Sequence, residues 1–233
     1  MSILLTGNRG FIGSRFKLKV DGLDLKDGLD ILTYKAQKKY ETVIHTAALT
    51  SVVESVKNPD DYFRTNVMGT FNMVKQHPEA HFVYLSTAGI YGEGSSHQVE
   101  SEPKPKSPYT LTKYLGEWVV RSFAKSWAIA RLTNVIGDGE RGEPNVYQVF
   151  QKSDVLPVYG DGLQTRDFIH VDEVCKTLSI LIYKLGIYNV GSGESKTILD
   201  VAREFDKPVK FFPAREGEIR KFGIYDAFNS FTV

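Results

Sequence analysis

Cysteine is nearly absent: Cys175 is the single one among 233 residues, so no disulfide can form within the chain and a reducing compartment suits it. No apolar run approaches the ~20 residues of a membrane-spanning helix. The opening residues, Met1-Ser2-Ile3-Leu4-Leu5-Thr6-Gly7, carry no basic stretch ahead of their apolar run and lead directly into a glycine turn. They read as a buried first strand and not as a leader. Charge of one sign is lacking too. Lysine plus arginine (29) nearly cancel aspartate plus glutamate (28), which leaves no broad field for nucleic acid or an anionic membrane, and any phosphate binding must be local. Repeats and low-complexity segments are missing. These absences predict a cytoplasmic globular protein that binds neither nucleic acid nor membrane.

What is present is alternation. Short apolar runs at 3–6, 20–25, 42–46, 81–86, 128–134 and 187–190 are rich in branched and aromatic residues, as strands buried on both faces of a parallel sheet are. Between them lie segments of helical spacing, 59–76 and 108–127, the second opened by Ser107-Pro108. The segment 92–108 reads as loop. Strand and helix in alternation predict an α/β fold with a doubly wound parallel sheet of Rossmann type. Past residue 140 the alternation becomes irregular and glycines cluster, which predicts a small C-terminal lobe.

Two motifs carry chemistry. After the first strand comes Thr6-Gly7-Asn8-Arg9-Gly10-Phe11-Ile12-Gly13-Ser14. Gly7 permits a tight turn, Gly10 lets backbone amides approach a pyrophosphate, and Gly13 lets the following helix sit close on the strand with its N-terminus facing the anion. A glycine triplet is weak evidence alone; its place in the first strand-to-helix turn strengthens it. The second motif is Tyr109 and Lys113, four apart on a helix and therefore on one face. A cation beside a phenol favours the phenolate and brings it toward use as a general base. Tyr34 and Lys38 share the spacing and read as a solvated helix face. The Tyr109 pair differs because the strand ending in Ser86-Thr87 brings hydroxyls to a sheet edge where α/β folds bind ligands.

Together these residues resemble one family, the extended short-chain dehydrogenases/reductases, and in it the NAD-dependent nucleotide-sugar epimerase/dehydratase group in a shortened, UDP-glucose 4-epimerase-like form. The resemblance runs through the glycine turn, Val43-Ile44-His45-Thr46-Ala47-Ala48, Asn66-Val67-Met68-Gly69-Thr70, Leu85-Ser86-Thr87-Ala88-Gly89-Ile90-Tyr91-Gly92, Ser107-Pro108-Tyr109-x-x-x-Lys113, Arg131-Leu132-Thr133-Asn134, the stretch from Tyr159 to Val174, Tyr188-Asn189-Val190-Gly191-x-Gly193 and Arg215-Glu216-Gly217-Glu218. It implies a dinucleotide-binding domain over 1–135, its sheet completed by segments near 163–190, and a mainly substrate-binding lobe over 136–233. Thr87 would hydrogen-bond the sugar hydroxyl, Tyr109 would take its proton, and Lys113 would hold the nicotinamide ribose and depress the tyrosine's pKa. Gly7, Arg9, Gly10, Phe11, Ile12, Asp24, Leu25, Thr46, Ala47, Ala48, Leu85, Tyr109 and Lys113 would line the cofactor. Asn134, Arg166 and Arg215 would grip the nucleotide-diphosphate sugar, for which arginine's forked donors suit. His45 and His170 read as structural, no metal is expected, and apolar faces around 68–74 or 115–119 would support a homodimer.

The chain departs from the family pattern in three places. Ala88 and Gly89 stand where dehydratases carry an Asp-Glu pair, which disfavours dehydration. Too few residues separate Gly13 from Asp24 for a full first helix and a complete second strand. The distance from Asp24 to His45 resembles the spacing of the family's adenine-side Asp-Ile pair better than that of its ribose-binding acid. Arg9 resembles an arginine that NADP-using members place near the 2′-phosphate. The cofactor expected is NAD, with NADP open. The chain ends soon after Arg215, so the expected lobe is compact. The leading activity is an NAD(P)-dependent nucleotide-sugar epimerase. An NADPH-dependent 4-keto-nucleotide-sugar reductase or epimerase-reductase comes second, and a non-catalytic dinucleotide-binding module third, against which the intact Thr87, Tyr109 and Lys113 speak.

Overall fold

The computed structural model describes residues 1–139, 144–214 and 219–228. Its first part runs β1 (Ile3–Thr6), β2 (Asp21–Leu23), β3 (Thr42–His45), α1 (Val52–Lys57), α2 (Pro59–Phe63), α3 (Thr70–Gln76), β4 (His81–Thr87), β5 (Gly94–His97), α4 (Pro108–Phe123) and β6 (Ser126–Leu132). Its second runs β7 (Asn134–Ile136), α5 (Val146–Lys152), β8 (Leu156–Tyr159), β9 (Thr165–His170), α6 (Val171–Leu181), β10 (Gly186–Val190), β11 (Ser195–Thr197), α7 (Ile198–Arg203), β12 (Val209–Phe212) and β13 (Phe222–Ile224).

Six strands form one sheet in the order β10-β6-β4-β3-β1-β2, every neighbouring pair parallel. Successive side chains of a strand point to opposite faces, and both faces here are covered. Ile3, Leu5, Ile44, Val83 and Leu85 pack with α6 through Val174 and Leu178. Leu4, Val43, Phe82, Tyr84 and Ile129 pack with Met73 and Val74 of α3 and Val120 of α4. The sheet is the doubly wound Rossmann type. From β1 the chain crosses to β2 on one side and then returns to β3 on the other, so the strand order reverses between β1 and β3 and opens a crevice at their carboxyl ends. A separate small core of Phe150, Leu156, Val158, Ile198 and Val201 holds α5, β8 and α7 together.

The few residues between Gly13 and Asp24 hold no full first helix, as their number predicts; only a 3-10 turn, Gly13–Arg15, stands there. Phe11, Ile12, Phe16 and Val20 lie directly on the cluster that α6 helps build, so the short segment covers the sheet without a helix. The helix expected over 59–76 is interrupted by a π-helical turn, Arg64–Gly69. Gly69 is there because a Cβ would lie 2.6 Å from Ile31 Cδ1. The apolar run 128–134 divides: β6 ends at Leu132 and β7 joins a three-stranded sheet with β9 and β11. Inside the expected loop 92–108, β5 pairs with β13.

Candidate active site

The crevice is stitched from backbone and hydroxyl groups. Gly7 turns the chain at φ +70°, and a Cβ there would stand 2.8 Å from both Ala47 N and Thr46 Oγ1. Thr46 Oγ1 donates to Thr6 O at 2.7 Å and Ala47 N donates to Thr6 Oγ1 at 3.2 Å, tying the end of β1 to the end of β3. At Gly13 a Cβ would fall 2.1 Å from Gly7 O, so the turn closes only around a bare backbone. Gly10 differs. A Cβ there would meet Gly7 O alone, at 3.1 Å, a tight contact but not a collision. Ala48, Phe11 and Ile12 are half-buried, and Phe11 and Ile12 pack on the core cluster that contains the buried Leu85.

Asp24 follows β2 directly and closes over the turn. Its Oδ2 accepts from Arg9 N and its Oδ1 from Lys26 N, both at 2.9 Å. The Arg9 guanidinium turns to Asp27, Nη1 to Oδ1 at 2.5 Å, on the protein surface. Leu25 is largely exposed, whereas Ile31 is buried.

On the other rim, α4 begins with a capping box between Ser107 and Thr110 and with Pro108 in its first turn. Tyr109 lies in that same first turn, where the helix dipole favours an anion. It is half-buried, edge-on to Tyr62 with ring centroids 6.5 Å apart. One turn on, Lys113 is 3% exposed. Burial pushes its ammonium down to about 7, opposed by the nearby Glu117 carboxylate. Thr87 ends β4, and its Oγ1 accepts from Gly89 N at 3.1 Å, which leaves the hydroxyl hydrogen to donate outward. Gly89 in turn lies against Thr110, its would-be Cβ 3.2 Å from Thr110 Cγ2, so the ends of β4 and α4 meet. The structure therefore brings Thr87, Tyr109 and Lys113 to the carboxyl edge that also carries the glycine turn.

Behind this rim lies a polar network that sequence reasoning missed. Ser86 Oγ donates to Glu117 Oε1 at 2.5 Å, and Arg131 donates to both Glu117 oxygens, Nε at 3.0 Å and Nη2 at 2.7 Å. Arg131 Nη1 continues to Tyr91 Oη at 2.7 Å, and Tyr91 donates to Asn189 Oδ1 at 2.8 Å. The sequence holds part of the signal, since Glu117 is four residues past Lys113 on one helix; the rest comes from the register, which pairs Ser86 with Arg131. His45 is fully buried between Thr6 Oγ1 at 2.8 Å and Thr70 Oγ1 at 3.0 Å, and burial pushes its imidazole down to about 3, so it is neutral. His170 is not packed within its strand; it ends β9 and accepts from Asp172 N as the cap of α6.

The substrate-side residues are placed less uniformly. Asn134 opens β7 and donates to Asp167 O at 3.2 Å. Arg166 Nη1 donates to Thr165 O and Ile219 O, each at 2.7 Å. Arg215 lies outside the described residues. Among the described residues no three His, Cys, Asp or Glu side chains group to hold a metal ion, and no helix is long and apolar enough to cross a membrane.

Comparison with known proteins agrees with this geometry. The model of the NAD dependent epimerase/dehydratase family matches residues 15–191. A UDP-glucose 4-epimerase of Halalkalibacterium halodurans is 29% identical over 94% of this chain and 85% of its own. Among solved structures, UDP-glucose 4-epimerase of Thermus thermophilus in complex with NAD superposes with a TM-score of 0.84 at 26% identity, over 97% of this chain and 91% of its own. An NAD-dependent NDP-hexosamine 5,6-dehydratase of tunicamycin biosynthesis gives 0.86 at 28% identity, over 96% and 88%. Crevice, turn and match together place the chain in the NAD-dependent epimerase/dehydratase family.

Proposed function

We propose that the chain is a cytoplasmic nucleotide-sugar epimerase that works by transient oxidation of a sugar hydroxyl, with residues 1–135 serving the dinucleotide and 136–233 mainly the sugar nucleotide. The observation that carries the reading is the convergence of Thr87, Tyr109 and Lys113 on the crevice edge that bears the glycine turn. The residues present fit a dinucleotide: Gly7 and Gly13 admit no side chain, a Cβ at Gly10 would meet a single backbone atom, and the buried Lys113 follows Tyr109 by one turn on the other rim. NAD, when bound there, supplies the acceptor and donor of hydride.

The residues of the chain do the rest. The Thr87 hydroxyl donates to the sugar oxygen and orients it. Tyr109, favoured as an anion by the helix N-terminus and by Lys113, takes the hydroxyl proton and later returns it. Lys113 would also hold the ribose of the cofactor. Gly7, Gly10, Phe11 and Ile12 would hold the pyrophosphate through their backbone, and Thr46, Ala47, Ala48 and Leu85 would line the groove wall. Asp24 stands just past the end of β2, next to β1, and would take the ribose hydroxyls, so the adenine-side Asp-Ile pair would be Asp30-Ile31 instead of Asp24-Leu25. Arg9 is already paired with Asp27, and two carboxylates beside the turn repel a 2′-phosphate, so NAD is preferred to NADP. Asn134, Arg166 and Arg215 are assigned to the nucleotide-diphosphate sugar.

Ala88 is fully buried and Gly89 has no side chain, so the residues after Thr87 offer no acid and base for eliminating water. This favours inversion over dehydration. Exposed Met68, Leu111, Trp118 and Phe123 support a homodimer through the face that α4 shares, whereas Met73 and Val74 of the segment considered first are in the core. A panel of UDP-, dTDP- and GDP-sugars, each with NAD and with NADP, tests the reading by NMR. Inversion of one stereocentre without net cofactor consumption is expected with NAD. Stoichiometric consumption of NADPH would replace it with the 4-keto-sugar reductase.

A further inference from the structure

Lys113 bears a charge in a place where charge is disfavoured. Its side chain is 3% exposed, and among the described residues no hydrogen bond or ion pair reaches Nζ. A carboxylate would be the ordinary remedy. The nearest on its own helix, Glu117, is taken by Arg131 and Ser86. The groups facing Lys113 are Tyr109 one turn before it and Glu117 one turn after it on α4, neutral His45 from β3, and Tyr84 from β4. What lies under the ammonium is the Tyr84 ring, 4.3 Å from Nζ to the centroid.

That ring is held firmly. It is fully buried, stacked on His45 with centroids 5.9 Å apart and planes 24° from parallel, and its hydroxyl donates to Lys113 O at 3.4 Å. Gly116 makes the space: a Cβ there would stand 2.1 Å from Tyr84 Oη. The negative face of an aromatic ring attracts a cation most strongly where both are desolvated. It also adds no net charge. A carboxylate counter-ion would cancel the positive field that favours a phenolate at Tyr109, whereas a ring quadrupole supports the cation and leaves that field intact.

We propose that Tyr84 is the positioning residue of Lys113, its π face serving in place of a carboxylate to hold the ammonium charged and aimed into the crevice. The inference deepens the reading of Lys113 as a working cation, but its test needs neither NAD nor a sugar, so the two fail separately. Lysine labelled with ¹³C at Cε is followed by NMR against pH, with the Lys113 signal assigned by its loss in Lys113→Met. Wild type, Tyr84→Phe and a series replacing Tyr84 by phenylalanine with one, two or three ring fluorines are compared. Fluorine drains the face of the ring at nearly constant shape, so packing is retained, and thermal unfolding of each variant verifies this.

The Lys113 midpoint, near 7 in wild type, should stay put in Tyr84→Phe and fall stepwise with fluorination, by about one pH unit at three fluorines. A midpoint that ignores fluorination overturns the proposal. So does a Tyr84→Phe midpoint displaced as far as the trifluorinated one, which would assign the effect to the hydroxyl.

Discussion

The two rims of the crevice belong to one sheet and are built to different depths. On the glycine-turn side, β2 has three residues, the turn leads into a three-residue 3-10 turn, and Arg9 and Asp27 pair on the surface. On the Tyr109 side, β4 and β6 have seven residues each, α4 has sixteen with a capping box, and the Glu117–Arg131 pair is 0% and 3% exposed. The difference suits the task proposed for each rim. A pyrophosphate needs backbone amides and the absence of side chains, and a short turn supplies both. A general base needs a fixed direction and a controlled field, and those require buried partners on several elements. The shortened rim gives up a full helix dipole; the deep rim gives up nothing.

Substitutions can break this comparison at its strongest point first. Tyr109→Phe should lower turnover by roughly 10²–10⁴-fold while nucleotide-sugar and cofactor affinity, read by calorimetry, hold. Next comes the support of the deep rim. Glu117→Ala leaves a buried guanidinium without its partner and should cost about 3–5 kcal/mol in denaturant unfolding. A loss under about 1 kcal/mol, the range of a surface pair, would make the two rims alike.

The shallow rim should respond by site. In Gly13→Ala the new Cβ meets backbone at 2.1 Å, so the turn must shift, and a destabilisation of about 1–3 kcal/mol is expected alongside lost NAD binding. Gly10→Val, whose Cβ meets only Gly7 O at 3.1 Å, should lose NAD binding with a smaller fall in melting temperature than Gly13→Ala. Equal melting losses for the two would contradict the looser setting of Gly10.

The smallest effect sharpens the view of His45, which joins the two rims. Its folded pKa of about 3 lies below the ordinary 6.5. Below 6.5 the unfolded chain therefore binds a proton that the folded chain refuses, and stability falls as pH drops from 6.5 toward 3. This group should account for about 1 kcal/mol over the first pH unit below 6.5. His45→Gln, though less stable throughout, should show a shallower slope across that unit. Matching slopes would mean that His45 is not the group excluded from protonation.

Much of this was legible in the residues because period and spacing act locally. The apolar runs at 3–6 and 81–86 are β1 and most of β4, and the four-residue step from Tyr109 to Lys113 is one turn of α4. What escaped depends on which strand lies beside which. Counting back from His45 suggested an adenine-side role for Asp24, and counting could not show that β2 pairs directly with β1, which sets Asp24 beside the glycine turn. The π-helical turn at Arg64–Gly69 has a helical pattern of residues, so spacing alone reads it as ordinary helix. Arg131 reads as one more residue in an apolar strand until the register sets it beside Ser86.

The central claim is that Tyr109 drives a reversible oxidation at one sugar carbon in this crevice. The direct test uses a nucleotide sugar that the protein inverts, deuterated at the inverted carbon, with NAD in the medium and the product followed by NMR. The account predicts an inverted product that keeps its deuterium on the same carbon, with none in the free cofactor pool and no product from Tyr109→Phe. Deuterium lost to the cofactor pool or to water, or inversion that survives Tyr109→Phe, would contradict it.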